Sequence, residues 1–345
     1  MNTDTSISEA STLNETTTST TTTTTPSIQP SSSSSLPHCG NGFFTLKFQN
    51  GSSFQSEILN SSVQPTGTYI SPNGDIYKGN FSSSTPFTEG ECYFDSCSSI
   101  YKGKFKNGAF DGEGLFINET GDIYKGSFKN GLRHGNGILT FAEGDEYEGS
   151  FINGAFEGRG TLTIKGVGVY SGYFKQGKYN GEGVFIDKVK NEKYIGLYVD
   201  GVREGKGVLY LSNGDIYKGE FKENVFNGYG EYYYNEGDVY KGMFKDGEFN
   251  GEGTLVFGNG DKYVGKFVDG IRQGEGVFYY GKGGVYEGEF KNDLFDGKGV
   301  LFQENGDIVE GEFKEGMLVG KAVCYPKEGE PYDIEVGENN NNNGD

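Results

Sequence analysis

The residue types that most often perform catalysis or bind metals are scarce in this chain. The chain has four cysteines and two histidines, namely Cys39, Cys92, Cys97, Cys324, His38 and His134. No two cysteines have the C-x-x-C spacing of zinc and redox sites, and no histidine lies near Cys92 or Cys97. The sequence therefore predicts no metal site and no His-based catalysis, and it indicates reduced thiols in a cytoplasmic compartment.

Carboxylates and glycine pairs are plentiful, but their repetition argues against a reaction centre. Asp122, Asp145, Asp215 and Asp261 each follow the glycine of a turn signal. A general acid and base pair would be a unique constellation, whereas these residues recur as turn residues do. Gly-x-Gly also recurs, and it opens a strand instead of the helix that a dinucleotide site requires. We therefore expect no catalytic residues, no cofactor and no enzyme activity.

A tyrosine followed two residues later by a glycine recurs down most of the chain. The steps between successive tyrosines are 23 or 24 residues, a period typical of repeat proteins. The starting tyrosines are Tyr77, Tyr101, Tyr124, Tyr147, Tyr170, Tyr194, Tyr217, Tyr240, Tyr263 and Tyr286. Such an array offers an extended surface for binding and little room for a unique active site.

Each repeat reads as two strands joined by a tight turn. The alternating residues of one repeat are Tyr101, Gly103, Phe105, Gly112, Gly114 and Phe116. Their period of two predicts a strand on each side of Asn107-Gly108, a dipeptide typical of two-residue hairpins in which both residues have positive φ. Because the same turn chemistry recurs between repeats, as at Asn213-Gly214, we expect a long antiparallel meander without crossover helices.

The glycines that share a face with the tyrosine predict a packing role. We expect a neighbouring aromatic ring to lie over the bare glycine backbone, as rings do over glycines in other sheets. A larger side chain at such a glycine would then clash with the ring.

The array lies between two segments of low complexity. Residues 1–41 are rich in Ser and Thr, and residues 326–345 are acidic and rich in Asn, so we expect two disordered tails. The array itself is predicted over residues 42–325, with degenerate end repeats near Phe54 and Val309. Atypical end repeats are expected because the outermost strand must not recruit another chain.

The charge and hydropathy of the chain limit its partners. The formal net charge of −19 would repel nucleic-acid phosphates, so we expect no nucleic-acid partner. No apolar stretch approaches the roughly 18 residues of a membrane span. The polar N-terminus does not resemble a leader sequence, which favours a cytoplasmic location.

The full motif of the repeat is Tyr-x-Gly-x-Phe-x-x-Gly-x-x-x-Gly-x-Gly. It is intact in the repeats that start at Tyr101, Tyr124, Tyr147, Tyr170, Tyr240 and Tyr263. This long pattern resembles the MORN (membrane occupation and recognition nexus) repeat, and the resemblance covers about residues 42–325. Asn224 and Asp293 replace the turn glycine, and both residue types can adopt left-handed conformations.

The resemblance implies a fold and a restricted set of functions. MORN arrays form elongated, twisted single-layer sheets, so we expect an all-β antiparallel meander of hairpins in this form. In the family, the arrays accompany phosphoinositide kinases, a lysine methyltransferase and membrane-junction proteins, or they act alone as cytoskeletal scaffolds. Some have been proposed to bind phosphoinositides. The sequence shows only the array, so we do not expect kinase or methyltransferase activity.

A longer period is nested in the array. The residue nine after the starting tyrosine is arginine in every third repeat, at Arg133, Arg203 and Arg272. In the intervening repeats it is aromatic, namely Phe110, Phe156, Tyr179, Phe226, Phe249 and Phe295. One interpretation is a duplicated block whose arginines pair with nearby acids. The other is a row of guanidinium groups that faces an anionic partner.

These arginine and aromatic residues form the predicted binding surface. We expect a non-enzymatic, cytoplasmic scaffold that binds an extended or helical segment of a protein partner along the aromatic face. The alternative is a peripheral adaptor at the plasma membrane or cortex, which recognises phosphoinositide through basic clusters such as Lys102, Lys104 and Lys106. A homodimer is left open.

Overall fold

The structure is a computed structural model that describes residues 41–60, 62–81 and 88–336. His38, Cys39 and the rest of residues 1–40 lie outside the described residues, as do residues 337–345 of the predicted C-terminal tail. The chain divides into two compact units, which we call the first half and the second half. The first half ends at Phe185 and the second begins at Ile186.

The first half is built of short strands bounded by turn residues. They are β1 (Gly42–Lys47), β2 (Ser53–Leu59), β3 (Ser62–Ile70), β4 (Ile76–Asn80), β5 (Glu89–Phe94), β6 (Ser99–Lys106), β7 (Ala109–Ile117), β8 (Ile123–Lys129), β9 (Leu132–Thr140), β10 (Glu146–Ile152), β11 (Ala155–Ile164), β12 (Gly168–Lys175) and β13 (Lys178–Asp187). A 3-10 turn, Asp95–Cys97, lies between β5 and β6. The division into halves falls inside β13.

The second half continues the same alternation of strand and turn. Its strands are β14 (Glu192–Val199), β15 (Val202–Tyr210), β16 (Ile216–Lys222), β17 (Val225–Tyr233), β18 (Val239–Lys245), β19 (Glu248–Val256), β20 (Lys262–Val268), β21 (Ile271–Tyr279), β22 (Val285–Lys291), β23 (Leu294–Phe302), β24 (Ile308–Lys314), β25 (Met317–Tyr325) and β26 (Tyr332–Val336). Across the described residues, no helical segment has the length and hydrophobicity of a membrane span.

Strands that are consecutive in sequence pair with each other in each half. For example, β7 pairs antiparallel with β6 and β8, and β17 pairs antiparallel with β16 and β18. Each half is therefore an antiparallel meander in one layer. The prediction of an all-β array of hairpins is confirmed.

From the repeat that starts at Tyr101 onward, the turn inside each repeat has the geometry that the sequence predicts. Two residues connect the strands and both have positive φ, as at Asn107 (52°) and Gly108 (81°). This is the type I′ hairpin. Asn224 (72°) and Asp293 (67°) adopt the same left-handed conformation in place of glycine, so their hairpins also close as expected.

The turn between repeats differs from the prediction of positive φ at both residues. The Gly214 N–H donates to the Leu211 carbonyl at 3.1 Å, and the Leu211 N–H donates to the Asp215 carbonyl at 2.9 Å. Gly214 has a positive φ of 91°, whereas Asn213 does not. This is a three-residue loop in which glycine comes last. Asn213 contributes through its side chain, which donates to the Asp215 carboxylate at 2.7 Å.

The starting tyrosine lies flat over two paired glycines. Gly103 and Gly114 are register partners across β6 and β7, and Tyr101 is fully buried above them. A Cβ added to Gly114 would lie 2.6 Å from the Tyr101 ring, and a Cβ added to Gly103 would lie 2.6 Å from the Gly114 Cα. The predicted packing of a ring over glycine is confirmed, and the ring belongs to the same repeat.

A β-bulge accompanies the tyrosine ring. The β6–β7 register shifts between Gly103 and Phe105, and Gly112 takes a positive φ of 97° on the bulged strand. Lys104, at the shift, accepts a 2.7 Å hydrogen bond on its carbonyl oxygen from the Tyr101 hydroxyl. The same bond to the carbonyl three residues later is made by Tyr124, Tyr147, Tyr170, Tyr194, Tyr217, Tyr240, Tyr263 and Tyr286.

In the last repeat, a smaller side chain takes the place of the tyrosine, and one of the paired glycines is replaced by alanine. Val309 replaces the starting tyrosine and is buried, and Ala322 stands where the other repeats have their second paired glycine. Because valine covers less of the backbone than a tyrosine ring, the alanine methyl group has space there. At the other end of the array, Phe54 takes the tyrosine position, and its ring lies over Gly67.

The sheet extends beyond the predicted end of the array at residue 325. Tyr332, Ile334 and Val336 alternate with acidic residues and form β26, which pairs with β25 through Ala322 and Ile334. Part of the segment that the sequence assigns to the C-terminal tail is therefore an edge strand. Its alternating acids are typical of edge strands that avoid further pairing.

Replacing a paired glycine should disrupt the hairpin around it. A Cβ at Gly196 would lie 2.7 Å from the Gly207 Cα and would also meet the Tyr194 ring. We expect Gly196→Val to lower the free energy of unfolding by about 2–3 kcal/mol through overpacking, as measured by urea unfolding of the full chain. Gly42→Val is the matched control, because no heavy atom lies within 4 Å of a Cβ there. Equal stability of the two variants would contradict the packing scheme.

Candidate functional site

The residues nine after the starting tyrosines form an outer layer on the tyrosine rings, and we call them the ring caps. Phe110 stacks on Tyr101 with ring centroids 3.8 Å apart and planes 8° from parallel. The other aromatic ring caps stack on their own tyrosines at 3.6 to 3.8 Å, namely Phe156, Tyr179, Phe226, Phe249 and Phe295. The structure therefore gives all the predicted aromatic residues one common position.

Phenylalanines four residues after the starting tyrosines connect each repeat to the one before it. Phe128 meets its own Tyr124 edge-on at 5.0 Å and the preceding Tyr101 at 5.3 Å. In the second half, Phe244 meets the preceding Tyr217 at 5.0 Å. Contacts of this geometry contribute about 0.5–1.5 kcal/mol each beyond their buried area. They form an aromatic ladder that crosses the repeats of each half.

On the aromatic face, the starting tyrosines are buried, whereas most of the ring caps are partly exposed to solvent. Tyr101, Tyr147 and Tyr217 are 0% exposed. The ring caps above them are half-buried, apart from Tyr179, which is buried. A partner that approaches this face would therefore touch the ring caps first.

In every third repeat, an arginine occupies the ring-cap position. The guanidinium carbon of Arg133 lies 5.9 Å from the centre of the Tyr124 ring and 5.7 Å from that of Phe151. Arg203 and Arg272 each lie 5.6 Å from the ring of their own starting tyrosine. A planar guanidinium covers an aromatic face as a phenyl ring does and adds a cation–π attraction. The three arginines therefore continue the ring-cap layer.

Two of these arginines also hold the turn of the following repeat. Arg272 donates through Nε to Oδ1 of Asp293 at 2.9 Å and through Nη2 to the Asp293 carbonyl at 2.7 Å. The Arg203 backbone N–H donates to Oδ1 of Asn224 at 2.8 Å, and its Nη2 donates to the Asn224 carbonyl at 3.2 Å. At Arg272, this geometry agrees with the interpretation that the arginines pair with nearby acids.

The two turns that lack glycine are thus partners of arginine ring caps. Asn224 and Asp293 keep a left-handed backbone and add a side chain that accepts a hydrogen bond from Arg203 or Arg272. In the sequence, this interaction is visible as an Asn or Asp in place of the turn glycine, one repeat after an arginine ring cap. The motif of a single repeat does not reveal it, because the two positions belong to different repeats.

Burial in this stack raises the pKa of the starting tyrosines. It raises the pKa of Tyr124, Tyr194 and Tyr263 to about 12, and the positive charge of the arginine ring cap limits the rise at each of them. Burial raises the pKa of Tyr217 and Tyr240 further above the usual value, and nearby glutamates add to the rise. The neutral phenol is therefore the form that the fold requires.

The recurring aspartates act as braces between consecutive loops. Oδ1 of Asp122 accepts the Ala142 N–H at 2.9 Å, and Oδ1 of Asp215 accepts the Asn235 N–H at 2.8 Å. Burial raises the pKa of both carboxyls, but their hydrogen bonds lower it more, so each pKa lies below its usual value. The same brace is formed by Asp145 and Asp261. All four predicted turn aspartates therefore lie in loops and accept backbone hydrogen bonds.

Cys92, Cys97, Cys324 and His134 are the cysteines and the histidine that the structure describes. In the part of the chain that the structure describes, no group of three or more His, Cys, Asp or Glu side chains is arranged to hold a metal. Cys92 and Cys324 are buried free thiols, and Cys97 is exposed. Burial, with a contribution from Asp75, raises the pKa of the Cys92 thiol, so this thiol remains protonated and unreactive.

Alkaline pH should unfold the chain through its tyrosines. A folded-state pKa above the unfolded value of about 10 stabilises the fold fully below pH 10, and this stabilisation is lost as the pH rises toward 12 and beyond. We expect tyrosinate absorbance and loss of the β-sheet circular dichroism signal to rise together above pH 10. Tyrosinate formation near pH 10 in all tyrosines, with the sheet signal intact, would contradict this assignment.

Arg272 and Asp293 should be energetically coupled. Arg272→Phe and Asp293→Gly together recreate the pairing of Phe226 with Gly247, in which the Gly247 N–H donates to the Phe226 carbonyl. We expect the double variant to be more stable than the sum of the single changes by about 0.5–1 kcal/mol in urea unfolding. Arg272→Phe with Asn224→Gly is the control pair and should be additive. Additivity in both pairs would show that the arginine does not hold the turn.

Comparison with solved structures gives low similarity. A structure of the CPAP G-box domain has a TM-score of 0.26 and 12% identity, covering 66% of this chain and 100% of that chain. The SAS-4 (dCPAP) TCP domain of Drosophila melanogaster, in complex with a proline-rich motif of Ana2, has a TM-score of 0.22 and 14% identity, covering 70% and 98%. TM-scores this low do not indicate a shared fold. Comparison with curated proteins gives no match.

The family profile of the MORN repeat matches the chain repeatedly. The matched residues are 101–123, 124–146, 147–165, 170–188, 194–216, 217–239, 240–262, 263–285, 286–308 and 310–329. These stretches follow one another along the chain, cover more than half of it and contain all of the ring caps described above. The chain therefore belongs to the MORN repeat family.

Proposed function

We propose that this chain is a non-enzymatic scaffold that binds an extended or helical segment of a protein partner along the ring-cap layer. The observation that carries the proposal is the layer itself, in which an aromatic residue or an arginine recurs at the same position in each repeat from Tyr101 to Tyr286, half-buried everywhere except at Tyr179. Aromatic residues and arginine are the side chains most enriched at the energetic centres of protein interfaces. The layer contains Phe110, Arg133, Phe156, Tyr179, Arg203, Phe226, Phe249, Arg272 and Phe295.

The aromatic ring caps are also held by contacts within their own repeats. Each aromatic ring cap is fixed by parallel stacking on a tyrosine, and that tyrosine is in turn fixed by its hydroxyl bond to the backbone. Side chains that are held in place lose little rotamer freedom on binding, so more of their contact energy contributes to affinity. A regular row of such positions favours a long partner segment over a compact small molecule.

The peripheral membrane adaptor is the second candidate, and a row of lysines favours it. The lysines five residues after the starting tyrosines, or after Val309 in the last repeat, are exposed. They are Lys106, Lys129, Lys175, Lys222, Lys245, Lys291 and Lys314. Such a row could contact phosphorylated lipid headgroups. Two features oppose this function. The net charge of the chain is −19, and Lys102 of the predicted basic cluster is paired with Glu91 at 2.7 Å.

Site-specific photocrosslinking tests the scaffold proposal. A benzoylphenylalanine placed at Phe249, a ring cap, should crosslink the full chain to a second protein in cell extract, as seen by a mass shift on a denaturing gel. The same probe at Asp246, on the hairpin turn and away from the layer, is the matched control. Equal crosslinking from the two positions, or none from any ring cap, would overturn the proposal.

Vesicle sedimentation decides between the two candidates. We expect the full chain to remain in the supernatant with phosphatidylcholine vesicles, with phosphatidylserine vesicles and with vesicles that contain phosphatidylinositol bisphosphate. Sedimentation with the last alone, abolished by Lys222→Gln, Lys245→Gln and Lys291→Gln together, would support the membrane adaptor instead. A lipid site formed by the arginine ring caps is tested with Arg133→Gln, Arg203→Gln and Arg272→Gln together. If these changes abolished sedimentation with phosphatidylinositol bisphosphate vesicles, the arginines would be the lipid site.

A further inference from the structure

The face opposite the starting tyrosines carries a mostly apolar, partly exposed row in the second half. Side chains alternate between the two faces of a strand, so the residue before each tyrosine lies on this back face. The row follows direct register partners from strand to strand, namely Tyr210, Ile216, Tyr233, Val239, Val256, Lys262 and Tyr279. Tyr210, Val256 and Tyr279 are 37 to 39% exposed. A contiguous row of this kind marks an interaction surface.

Lysines stand over the tyrosine rings of this row. The Lys262 Nζ lies 4.0 Å from the centre of the Tyr279 ring, and the Lys218 Nζ lies 4.8 Å from that of Tyr233. Each pair places a positive charge beside an apolar ring. The row can therefore contact apolar and negative groups of one ligand at the same time.

In the second half, the back face carries more positively charged than negatively charged side chains. From β14 to β21, the lysines of the back face outnumber its glutamates. The lysines are Lys193, Lys206, Lys218, Lys222, Lys241, Lys245, Lys262 and Lys266, and the glutamates are Glu220, Glu231, Glu248, Glu252 and Glu275. The aspartates lie instead in the turns, as Asp215 and Asp261 do. An acidic chain thus presents one locally basic surface, which we call the lysine–tyrosine face.

The spacing of the row matches one type of secondary structure. Neighbouring strands lie about 4.8 Å apart, so the row from β15 to β21 is about 29 Å long. An α-helix advances about 5.4 Å per turn and can therefore present roughly one side chain to each strand that it crosses. About 20 helical residues would cover the row. A partner extended parallel to the strands would meet only one or two of its residues.

We infer that the lysine–tyrosine face binds an acidic amphipathic helix of a protein partner, laid across the strands from β15 to β21. The apolar stripe of the helix would pack on the row, and its flanking carboxylates would reach Lys218 and Lys262. A second copy of this chain is a poorer occupant, because it would bring another lysine-rich face against this one. This surface is opposite the ring-cap layer, so the inference goes beyond the proposed function and is tested separately.

A designed peptide tests the inference directly. The probe is a fluorescein-labelled helix of about 20 residues, with leucine along one side and glutamate on both flanks. We expect its fluorescence anisotropy to rise on titration with the full chain. We also expect Lys218→Glu with Lys262→Glu, and separately Tyr233→Ser with Tyr279→Ser, to weaken binding at least tenfold. Lys125→Glu with Lys129→Glu makes the same charge change on the first half and should leave binding unchanged.

Three further measurements complete the test. Circular dichroism must show that the variants are folded, and hydrogen exchange should show protection of β15 to β21 in the complex. A scrambled peptide of the same composition should bind at least tenfold more weakly. Equal binding of the scrambled peptide, or equal loss in the Lys125 and Lys129 control, would overturn the inference. Binding of anionic vesicles, or concentration-dependent dimerisation, that depends on these lysines while the peptide does not bind would overturn it in favour of a lipid or a second copy.

Discussion

The contact on which the structure depends is a tyrosine ring lying flat on two glycines that face each other across a hairpin. Neither glycine can carry a side chain, because the ring and the opposite backbone occupy the space. The ring needs a bulge and a backbone carbonyl to fix its hydroxyl, and the bulge needs a further glycine with positive φ. The glycines of the motif therefore have different structural roles: two leave space for the ring, and another adopts the positive φ of the bulge. A sheet that is one layer thick obtains its core from rings that cover its own backbone.

The ring caps show how variation is tolerated within this rule. The surface above each tyrosine must be covered by something flat, and both a phenyl ring and a guanidinium group satisfy that requirement. The guanidinium adds hydrogen-bond donors, and the following turn supplies acceptors at Asn224 and Asp293. The period of three repeats thus has a structural correlate in alternative ways of covering the ring. The arginines thus place positive charges in the aromatic layer while still covering the tyrosine rings.

Much of the fold was predictable because its determinants are local. The alternation around Tyr101 and the Asn107-Gly108 dipeptide specify strands and a type I′ turn from neighbouring residues alone. The loop at Asn213-Gly214 was predicted wrongly, since the same dipeptide also suits a three-residue loop and only the register separates the two. The partnership of Arg272 with Asp293 links two repeats, and the back-face row exists only once strands are aligned. Neither can be read from the motif of one repeat.

The hydrogen bonds between consecutive loops have a consequence for how such a chain can change in length. The carboxylate of Asp215 reaches the backbone of Asn235, and the N–H of Gly247 reaches the carbonyl of Phe226, so each of these ties spans about one period. Within a half, a whole repeat could be inserted or removed and these backbone ties would find equivalent partners, whereas the pairs of Arg203 with Asn224 and of Arg272 with Asp293 would have to move together. Loss of part of a repeat would leave rings without glycines beneath them. Gene duplication and deletion in steps of one repeat are thus the least disruptive route by which arrays of different reach could evolve.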